Sequence, residues 1–202
     1  MITFLHDIDR SFFLFLNGLN TTFLDPVMYY ASKSILWLPL YLFFLFLVIR
    51  KYKWQTLLIL ILAAIMITIS DQLSNLSKDF FQRLRPSNEP GLTVHLVFAY
   101  KGGMFGFYSG HASNSFAIAV FLIMLMEKHQ RYFFIPVVLW AFFVSYTRIY
   151  LGVHYPGDVF AGMIVGSLIG YFCAMTSFPH FLPKNDFTVI FQVPAIMALS
   201  IF

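Results

Sequence analysis

Five long apolar runs, each bounded by charged residues, constrain this chain more than any other feature of its sequence. About 20 helical residues cross the hydrocarbon of a bilayer, so each run can span it, the first if it starts near Ser32. We therefore predict an all-α fold, a polytopic membrane helix bundle with five core transmembrane helices. The runs cover residues 35–49, 54–76, 111–126, 133–150 and 159–178.

The composition supports a membrane protein and excludes several other classes. Hydrophobic residues make up 59% and charged residues 11% of the 202 residues, against about 45–50% and about 25% in soluble domains. Disordered, collagen-like, coiled-coil and disulfide-rich chains are also excluded, and the single cysteine, Cys173, cannot form an intramolecular disulfide. The net charge of +4 favours anionic partners such as phosphate head groups, but there is no dense basic run to bind a nucleic acid.

The two ends of the chain differ from the apolar runs. Residues 4–16 are expected to form an amphipathic helix on the membrane surface, and their acidic start argues against a signal peptide. Residues 187–202 are apolar but short, and predict either a sixth helix or an interfacial tail. Because no domain break appears, residues 1–202 are expected to form one membrane-embedded domain.

The connections between the runs suggest an orientation. Residues 50–53 and 127–131 form tight, charged turns, whereas residues 77–110 form one long loop. Basic residues in short loops favour the cytoplasm, so residues 77–110 and 147–158 are expected to face the exterior. The raw count of basic residues supports this weakly, because several of those on the outer side look functional.

Polar residues cluster at the outer ends of these runs. Asp71, Asn75 and Lys78 share one face of the second predicted helix, and Arg85 follows two turns later. The third helix starts near Ser109, Gly110 and His111, the fourth ends at Arg148, and the fifth starts near His154 and Asp158. Ionisable groups at membrane depth are costly, so we predict that they form one functional site.

The residue types at this site point to phosphate. Lys78, Arg85 and Arg148 would repel one another unless a multivalent anion balanced their charges. A guanidinium group can also donate two parallel hydrogen bonds to the oxygens of one phosphate. Ser109 and Gly110 precede a helix whose free N–H groups would add further anion donors. The sequence thus predicts a phosphate-binding pocket.

Two histidines have separable roles in this pocket. Pro156 suits the first turn of a helix, which makes Tyr155 its cap and places Asp158 where its side chain can reach back. We expect Asp158 to accept the Nδ1 proton of His154, which leaves Nε2 as a nucleophile or base. His111 would then protonate a leaving oxygen.

These residues resemble the three motifs of the type-2 phosphatidic acid phosphatase superfamily, which includes vanadium haloperoxidases and glucose-6-phosphatase-like enzymes. The first motif is complete from Lys78 to Arg85-Pro86. The second reads Tyr108-Ser109-Gly110-His111, with tyrosine in place of the usual proline. The third reads Thr147-Arg148, then His154 and Asp158, with threonine in place of serine. Neither change removes a catalytic group, and the motif core spans residues 78–158.

The resemblance implies a phosphohydrolase that needs neither metal nor cofactor. In this family, the residue matching His154 forms a phosphohistidine, Asp158 orients it and His111 acts as the acid. The resemblance further implies that Lys78, Arg85, Ser109, Gly110 and Arg148 hold the phosphoryl oxygens. In bacterial members the site faces the periplasm or the exterior, so the inner (plasma) membrane is the expected location.

Small members of this family act on phosphorylated membrane lipids, which leaves several substrates open. Undecaprenyl diphosphate is favoured here because the chain is a short core with little soluble decoration, and a lipid A phosphate is second. Phosphatidylglycerophosphate and phosphotransfer to another lipid are alternatives. A soluble haloperoxidase is excluded by the hydropathy, and a non-catalytic transporter is disfavoured because His111 and His154 are both present.

Several residues outside the motifs have competing interpretations. Asp71 is expected to form a structural ion pair with a nearby cation. Arg83 and Lys101 could contact the substrate head group or be solvated loop charges, and His95 has no assigned role. Taken singly, each motif residue also has a structural explanation, and it is their joint spacing that favours a site. Glycines at positions 162, 166 and 170 predict close helix packing inside the bundle in preference to a dimer contact.

Overall fold

The computed structural model describes residues 2–126 and 134–181, and within these ranges the chain is all-α, with no β-strand. The predicted turn at 127–131 and the tail at 187–202 lie outside the described residues. The helices are α1 (Ile2–Asn17), α2 (Leu24–Ala31), α3 (Leu38–Tyr52), α4 (Thr56–Phe81), α5 (Gly110–Leu125), α6 (Phe134–Tyr150) and α7 (Pro156–Phe181).

The five apolar runs form helices α3 to α7. The segment Ser34–Phe81, which contains α3 and α4, and Pro156–Thr176 of α7 are long and apolar enough to cross a membrane. Gly110–Leu125 and Ile135–Tyr150 are apolar but shorter. Many large apolar side chains on these helices point outward, as expected for surfaces in contact with lipid. The count of five crossings remains a prediction.

Helix α5 occupies the centre of the bundle, and its closest neighbour is α7. A Cβ atom on Gly162 would lie 2.5 Å from the carbonyl oxygen of Ser109, and one on Gly166 would overlap the Ser113 backbone. Gly170 approaches the Ala117 backbone in the same way. The glycine stripe therefore packs inside the bundle, as predicted.

Apolar side chains fill the space on both sides of α5. On one side, Met66 of α4 packs with Phe121 and Ala174. On the other, Phe44 of α3 and Trp140 of α6 pack with other buried side chains. Both sides of α5 are thereby fixed, which holds its N-terminus in a defined position at one end of the bundle.

The long loop between α4 and α5 folds back over that end of the bundle. Leu84 and Phe105 form an isolated antiparallel bridge across the loop. The N–H of Ser87 donates to the carbonyl of Gly152, 3.0 Å away, in the α6–α7 connection. The loop is thus tied both to itself and to the connection that carries His154.

Helix α1 forms where an amphipathic helix was predicted. It packs against the ends of α6 and α7. Phe13 is completely buried against Tyr155 and Val159. Phe4 and Phe12, by contrast, are exposed. The contact face and the exposed apolar face are therefore distinct, while placement of α1 at a membrane surface remains a prediction.

Close packing of α5 against α7 predicts the effect of Gly166→Ala. In an open helix this change stabilises by up to about 1 kcal/mol. At Gly166 the added methyl group would meet the Ser113 backbone, so we expect the free energy of unfolding to fall by about 1–3 kcal/mol. Thermal unfolding in detergent measures it, with Gly103→Ala as the control because no atom lies within 4 Å of that Cβ position. A Gly166→Ala midpoint at or above wild type would contradict this packing.

Candidate active site

The α5–α7 contact brings the second and third motifs together. The N–H of Ser109 donates to the carbonyl of Asp158, 3.0 Å away, so the start of α5 lies directly against the first turn of α7. Ser109 is fully buried and its Oγ caps α5 by accepting the N–H of Ala112 at 3.4 Å. Ser109 therefore acts here as a helix cap and does not line the cavity described next.

A cavity of about 440 Å³ lies beside this contact and gathers most of the predicted site residues. Six of the eight line it, while Ser109 and Asp158 lie behind its wall. Its far end is aromatic and aliphatic. The predicted lining residues are Lys78, Arg85, Gly110, His111, Arg148 and His154. The apolar lining lies further along the helices, because Ile118 comes two turns after His111 on α5, and Val144 and Trp140 come one and two turns before Arg148 on α6. Trp37 and Tyr41 also line this end and contact the Trp140 ring.

Arg85 is almost completely buried and is held by the backbone of two loops. Its Nε donates to the carbonyl of Phe105 at 2.9 Å and its Nη1 to the carbonyl of Val153 at 3.1 Å. A Cβ on Gly102 would lie 2.6 Å from Nη1, so only glycine leaves room for this guanidinium. Burial and the charge of Arg148 lower the pKa of Arg85, although a guanidinium remains charged at neutral pH.

Arg148 is 3% exposed and has few partners for a buried cation. Its Nη2 donates to the hydroxyl of Tyr100 at 3.4 Å, and its Nε has no hydrogen-bond partner among the described residues. Burial opposes ionisation of Tyr100, but the hydrogen bond and the charge of Arg148 outweigh it and lower the pKa of this phenol. Such an under-satisfied guanidinium is suited to an anionic ligand.

The His154 imidazole is buried between Arg85 and Asp158. Its Nε2 lies 3.1 Å from Arg85 Nη1, and because a guanidinium can only donate, Nε2 must carry the lone pair. The ring proton is therefore on Nδ1, the tautomer that the sequence analysis expected. Burial, followed by the charges of Arg85 and Arg148, lowers the pKa of His154 well below its ordinary value.

The expected hydrogen bond between His154 and Asp158 is not formed. Asp158 Oδ2 lies 3.6 Å from His154 Nδ1, beyond hydrogen-bond distance, and Nδ1 has no partner within the described part of the chain. Oδ2 instead accepts the N–H of Tyr155 at 2.9 Å. The predicted cap at Tyr155 and helix start at Pro156 are both confirmed. The Asp158 side chain reaches back as predicted, but it accepts the backbone N–H of the cap residue, as the third helical residue does in a capping box.

The other Asp158 oxygen is bound by Arg83, which the sequence analysis placed at the head group or in solvent. Arg83 Nη1 lies 2.7 Å from Asp158 Oδ1, and Arg83 Nη2 lies 2.7 Å from Asp9 Oδ2. Although burial opposes it, the carboxylates of Asp158 and Asp9 raise the pKa of Arg83 above its ordinary value. Arg83 is thus a partner of Asp158, and its spacing within the first motif gave no signal of this.

The remaining polar residues have simple partners. Asp71 lines the cavity but accepts a hydrogen bond from the Asn114 amide at 2.8 Å, and no cation pairs with it at salt-bridge distance among the described residues. His95 Nε2 lies 2.9 Å from Asp25, which gives this histidine a structural role. Lys101 is exposed. The described ranges contain no cluster of three or more His, Cys, Asp or Glu residues that could hold a metal ion.

Two cavity residues that contact the buried arginines were not predicted from the sequence. Tyr100 contacts Arg148, and Gly102 makes room for Arg85, yet neither belongs to a motif. The pair Gly102-Gly103 in the long loop is the one signal that could have drawn attention to this segment. Chemically, the site combines cationic side chains that can donate hydrogen bonds to an anion, an unprotonated imidazole nitrogen and a second imidazole at the cavity wall.

Comparisons with known proteins give one consistent assignment. The model of the PAP2 superfamily matches residues 56–181. Lipid A 4'-phosphatase of Bacteroides thetaiotaomicron is 43% identical over 176 residues, which cover 85% of this chain and 77% of that protein. Undecaprenyl-diphosphatase of Sulfolobus acidocaldarius is 31% identical over 151 residues, which cover 73% and 68%.

Among solved structures, the first transmembrane PAP2-type phosphatidylglycerolphosphate phosphatase from Bacillus subtilis is similar over nearly its whole length. The TM-score is 0.65 at 25% sequence identity, covering 89% of this chain and 88% of that chain. The helical arrangement described above is therefore similar to that of a known membrane phosphatase.

The environment of His154 predicts an unusual titration. Because its pKa is lowered, the imidazole should stay neutral below the ordinary histidine value of about 6.5 and take up a proton only in more acidic solution. Nitrogen NMR of histidine-labelled protein in micelles measures this, and the His154→Ala spectrum assigns the resonance. Half-protonation of His154 at or above about pH 6.5 would contradict the buried, cation-flanked environment.

Proposed function

This chain belongs to the PAP2 superfamily and is a membrane lipid phosphatase, and we propose that it removes phosphate from a lipid head group by transfer to His154. The observation that best supports this is the shared cavity of about 440 Å³ on which Lys78, Arg85 and Arg148 converge with His111 and His154.

The cationic end of the cavity suits a phosphoryl group with two negative charges. Arg85 and Arg148 are buried and poorly neutralised, so a dianion would relieve both their mutual repulsion and their lost hydration. Lys78 adds a third positive charge, and Gly110 brings the N-terminal amides of α5 to the wall. These donors would stabilise the charge that builds on the equatorial oxygens in the transition state.

The nucleophile would be Nε2 of His154. A bond forms between Nε2 and phosphorus while the bond from phosphorus to the leaving lipid or phosphate oxygen breaks, and His111 donates a proton to that oxygen. Arg85 Nη1, which lies 3.1 Å from Nε2, would turn its N–H to a phosphoryl oxygen as phosphorus approaches. Water then attacks phosphorus and gives a proton to His111, the bond between phosphorus and Nε2 breaks, and orthophosphate leaves with His154 and His111 back in their starting states.

Asp158 would act as the orienting carboxylate. The separation of 3.6 Å between Oδ2 and Nδ1 is long, but such contacts commonly tighten as the transition state forms. As Nε2 bonds to phosphorus, the ring becomes positive, and a hydrogen bond from Nδ1 to Asp158 would stabilise that charge.

The apolar end of the cavity supports a lipid as the substrate. Trp37, Tyr41 and Trp140 lie at that end, where the portion of the lipid next to the phosphate would be held. The sequence analysis favoured undecaprenyl diphosphate because the chain is short and undecorated. That property does not distinguish between lipid phosphates, and we now place lipid A 4'-phosphate first, because the lipid A 4'-phosphatase relative is 43% identical and the undecaprenyl-diphosphatase relative 31%.

A phosphate-release panel tests the substrate and the mechanism together. Purified protein in liposomes receives lipid A, undecaprenyl diphosphate and phosphatidylglycerophosphate in parallel, each with and without chelator. We expect release to be fastest from lipid A and unchanged by chelator, since cationic side chains supply the charge stabilisation. Release from undecaprenyl diphosphate alone would reverse the substrate order.

The matched variants in the same panel are His154→Ala and His111→Ala. His154→Ala should abolish both turnover and the alkali-stable phosphoenzyme trapped by rapid quenching. His111→Ala should still form phosphoenzyme on a diphosphate, whose leaving phosphate needs less protonation than a sugar oxygen. Full activity of His154→Ala, or activity that chelator removes and magnesium restores, would contradict the mechanism.

We further propose that the site faces the periplasm or the exterior from a bacterial inner membrane. This orientation rests on the tight basic turns at 50–53 and 127–131. In a protein with Cys173 replaced, an impermeant thiol reagent applied to whole cells should label a cysteine at position 101 and spare one at position 129. The reverse labelling would place the site in the cytoplasm.

A further inference from the structure

Helix α1 reaches the back of the proposed catalytic residues through two carboxylate–guanidinium contacts. Arg83 lies between Asp9 of α1 and Asp158 of α7 and is 2.7 Å from each carboxylate. Its guanidinium carbon also lies 4.3 Å from the centre of the Tyr155 ring. Arg83 is therefore fixed on three sides, and each of its two terminal nitrogens is committed to a different carboxylate.

Asp9 makes a second contact that fixes the same turn of α7. Its Oδ1 accepts the N–H of Gly157, 2.8 Å away, in the first turn of the helix. A Cβ on Gly157 would lie 2.7 Å from Asp9 Oδ2, so glycine is required for this approach. A carboxylate at a helix N-terminus is stabilising, and here a different helix supplies it.

A further set of contacts joins α1 to the neighbouring residue Tyr155. The Tyr155 hydroxyl donates to Glu89, whose carboxylate lies 3.8 Å from His6 and 3.9 Å from Arg10 of α1. Phe13 packs edge-on against the Tyr155 ring. The turn from His154 to Asp158 is thus held from behind by α1, on the side opposite the cavity.

Asp158 has one direct cationic partner within the described residues, and that partner is Arg83. The Asp158 side chain is completely buried, and a buried carboxylate without a partner is strongly unfavourable. Arg83 does not line the catalytic cavity but, with Asp9, lines a separate groove beside α1. Its direct ion pair with a proposed catalytic residue is the one to Asp158, which differs from the head-group contact that the sequence suggested.

We propose that Asp9 and Arg83 are positioning residues which hold Asp158, charged and correctly placed, behind His154. The inference rests on the proposed function. Asp9 orients Arg83 and caps α7, and Arg83 binds Oδ1 of Asp158 so that Oδ2 faces the turn that carries His154. The N-terminal helix accordingly affects catalysis by positioning Asp158.

The test compares Asp9→Asn with Asp7→Asn, a matched control on the same helix whose side chain is exposed. The proteins are reconstituted in liposomes, and kcat and KM are measured on the lipid of the three-lipid panel that wild type hydrolyses fastest. We expect Asp9→Asn and Arg83→Gln to lower kcat about 10- to 100-fold with KM nearly unchanged, because a small misplacement of a catalytic group has an effect of this size. Asp7→Asn should match wild type, and Asp9→Glu should recover most of the loss.

A second measurement reports on positioning without a lipid substrate. Vanadate resembles the transition state and bonds to the nucleophile, whereas orthophosphate needs only the cationic end of the cavity. By calorimetry, Asp9→Asn should weaken vanadate binding about tenfold and leave orthophosphate binding within about twofold.

The outcomes separate this inference from the proposed function. Equal kcat and vanadate affinity for Asp9→Asn and Asp7→Asn, with active wild type, would overturn the inference alone. A lower unfolding temperature of Asp9→Asn with unchanged kcat would show a purely structural role and overturn it too. An increase in KM without a change in kcat would indicate that Arg83 contacts the substrate head group, and would also overturn the inference. Wild type that releases no phosphate from any of the three lipids would contradict the proposed function and the inference together.

Discussion

The close approach of α7 to α5 is the contact on which the site depends. Three glycines let the α7 backbone lie directly against Ser109, Ser113 and Ala117, where any side chain would force the helices apart. The hydrogen bond from Ser109 to the Asp158 carbonyl then fixes the relative height of the two helix starts. The N-terminus of α5 and the turn that carries His154 therefore belong to one rigid unit, which suits the proposed reaction because transfer to His154 requires a defined distance between nucleophile and phosphorus.

Charge is distributed unevenly around that unit. Behind His154, Arg83 is balanced by two carboxylates. In front of it, Arg85 and Arg148 are buried with backbone carbonyls, an imidazole nitrogen and a phenol as their partners. Burying a cation without a carboxylate partner costs free energy, and a dianion bound at this place would offset that cost. Burial, together with these positive charges, lowers the pKa of His154 and so favours the neutral imidazole that the proposed attack requires.

Much of the site could be predicted from sequence because the information was local. Apolar run lengths gave the helices, and motif spacing brought Lys78, Arg85, His111, Arg148 and His154 to one cavity. The prediction was wrong where two groups competed for one atom. Asp158 could reach either the Tyr155 N–H or the His154 ring, and the capping geometry decided between them. It also did not identify the partner of Arg83 and missed Tyr100, because the partners of both residues come from segments far away in sequence.

The position of Asp9 bears on what the minimal functional unit is. The family match begins at residue 56, yet the first turn of α7 donates a hydrogen bond from the Gly157 N–H to the carboxylate of Asp9. Gly157 and Arg83, both inside the matched region, have geometries that are complete only with α1 in place. The Cβ that Gly157 lacks would overlap the Asp9 carboxylate, and one of the two carboxylates bound by Arg83 is that of Asp9, so both features involve α1 and would be absent from α4 to α7 alone. Helix α1, which precedes the family core, therefore contacts the turn from His154 to Asp158 directly, through the hydrogen bond from Gly157 to Asp9.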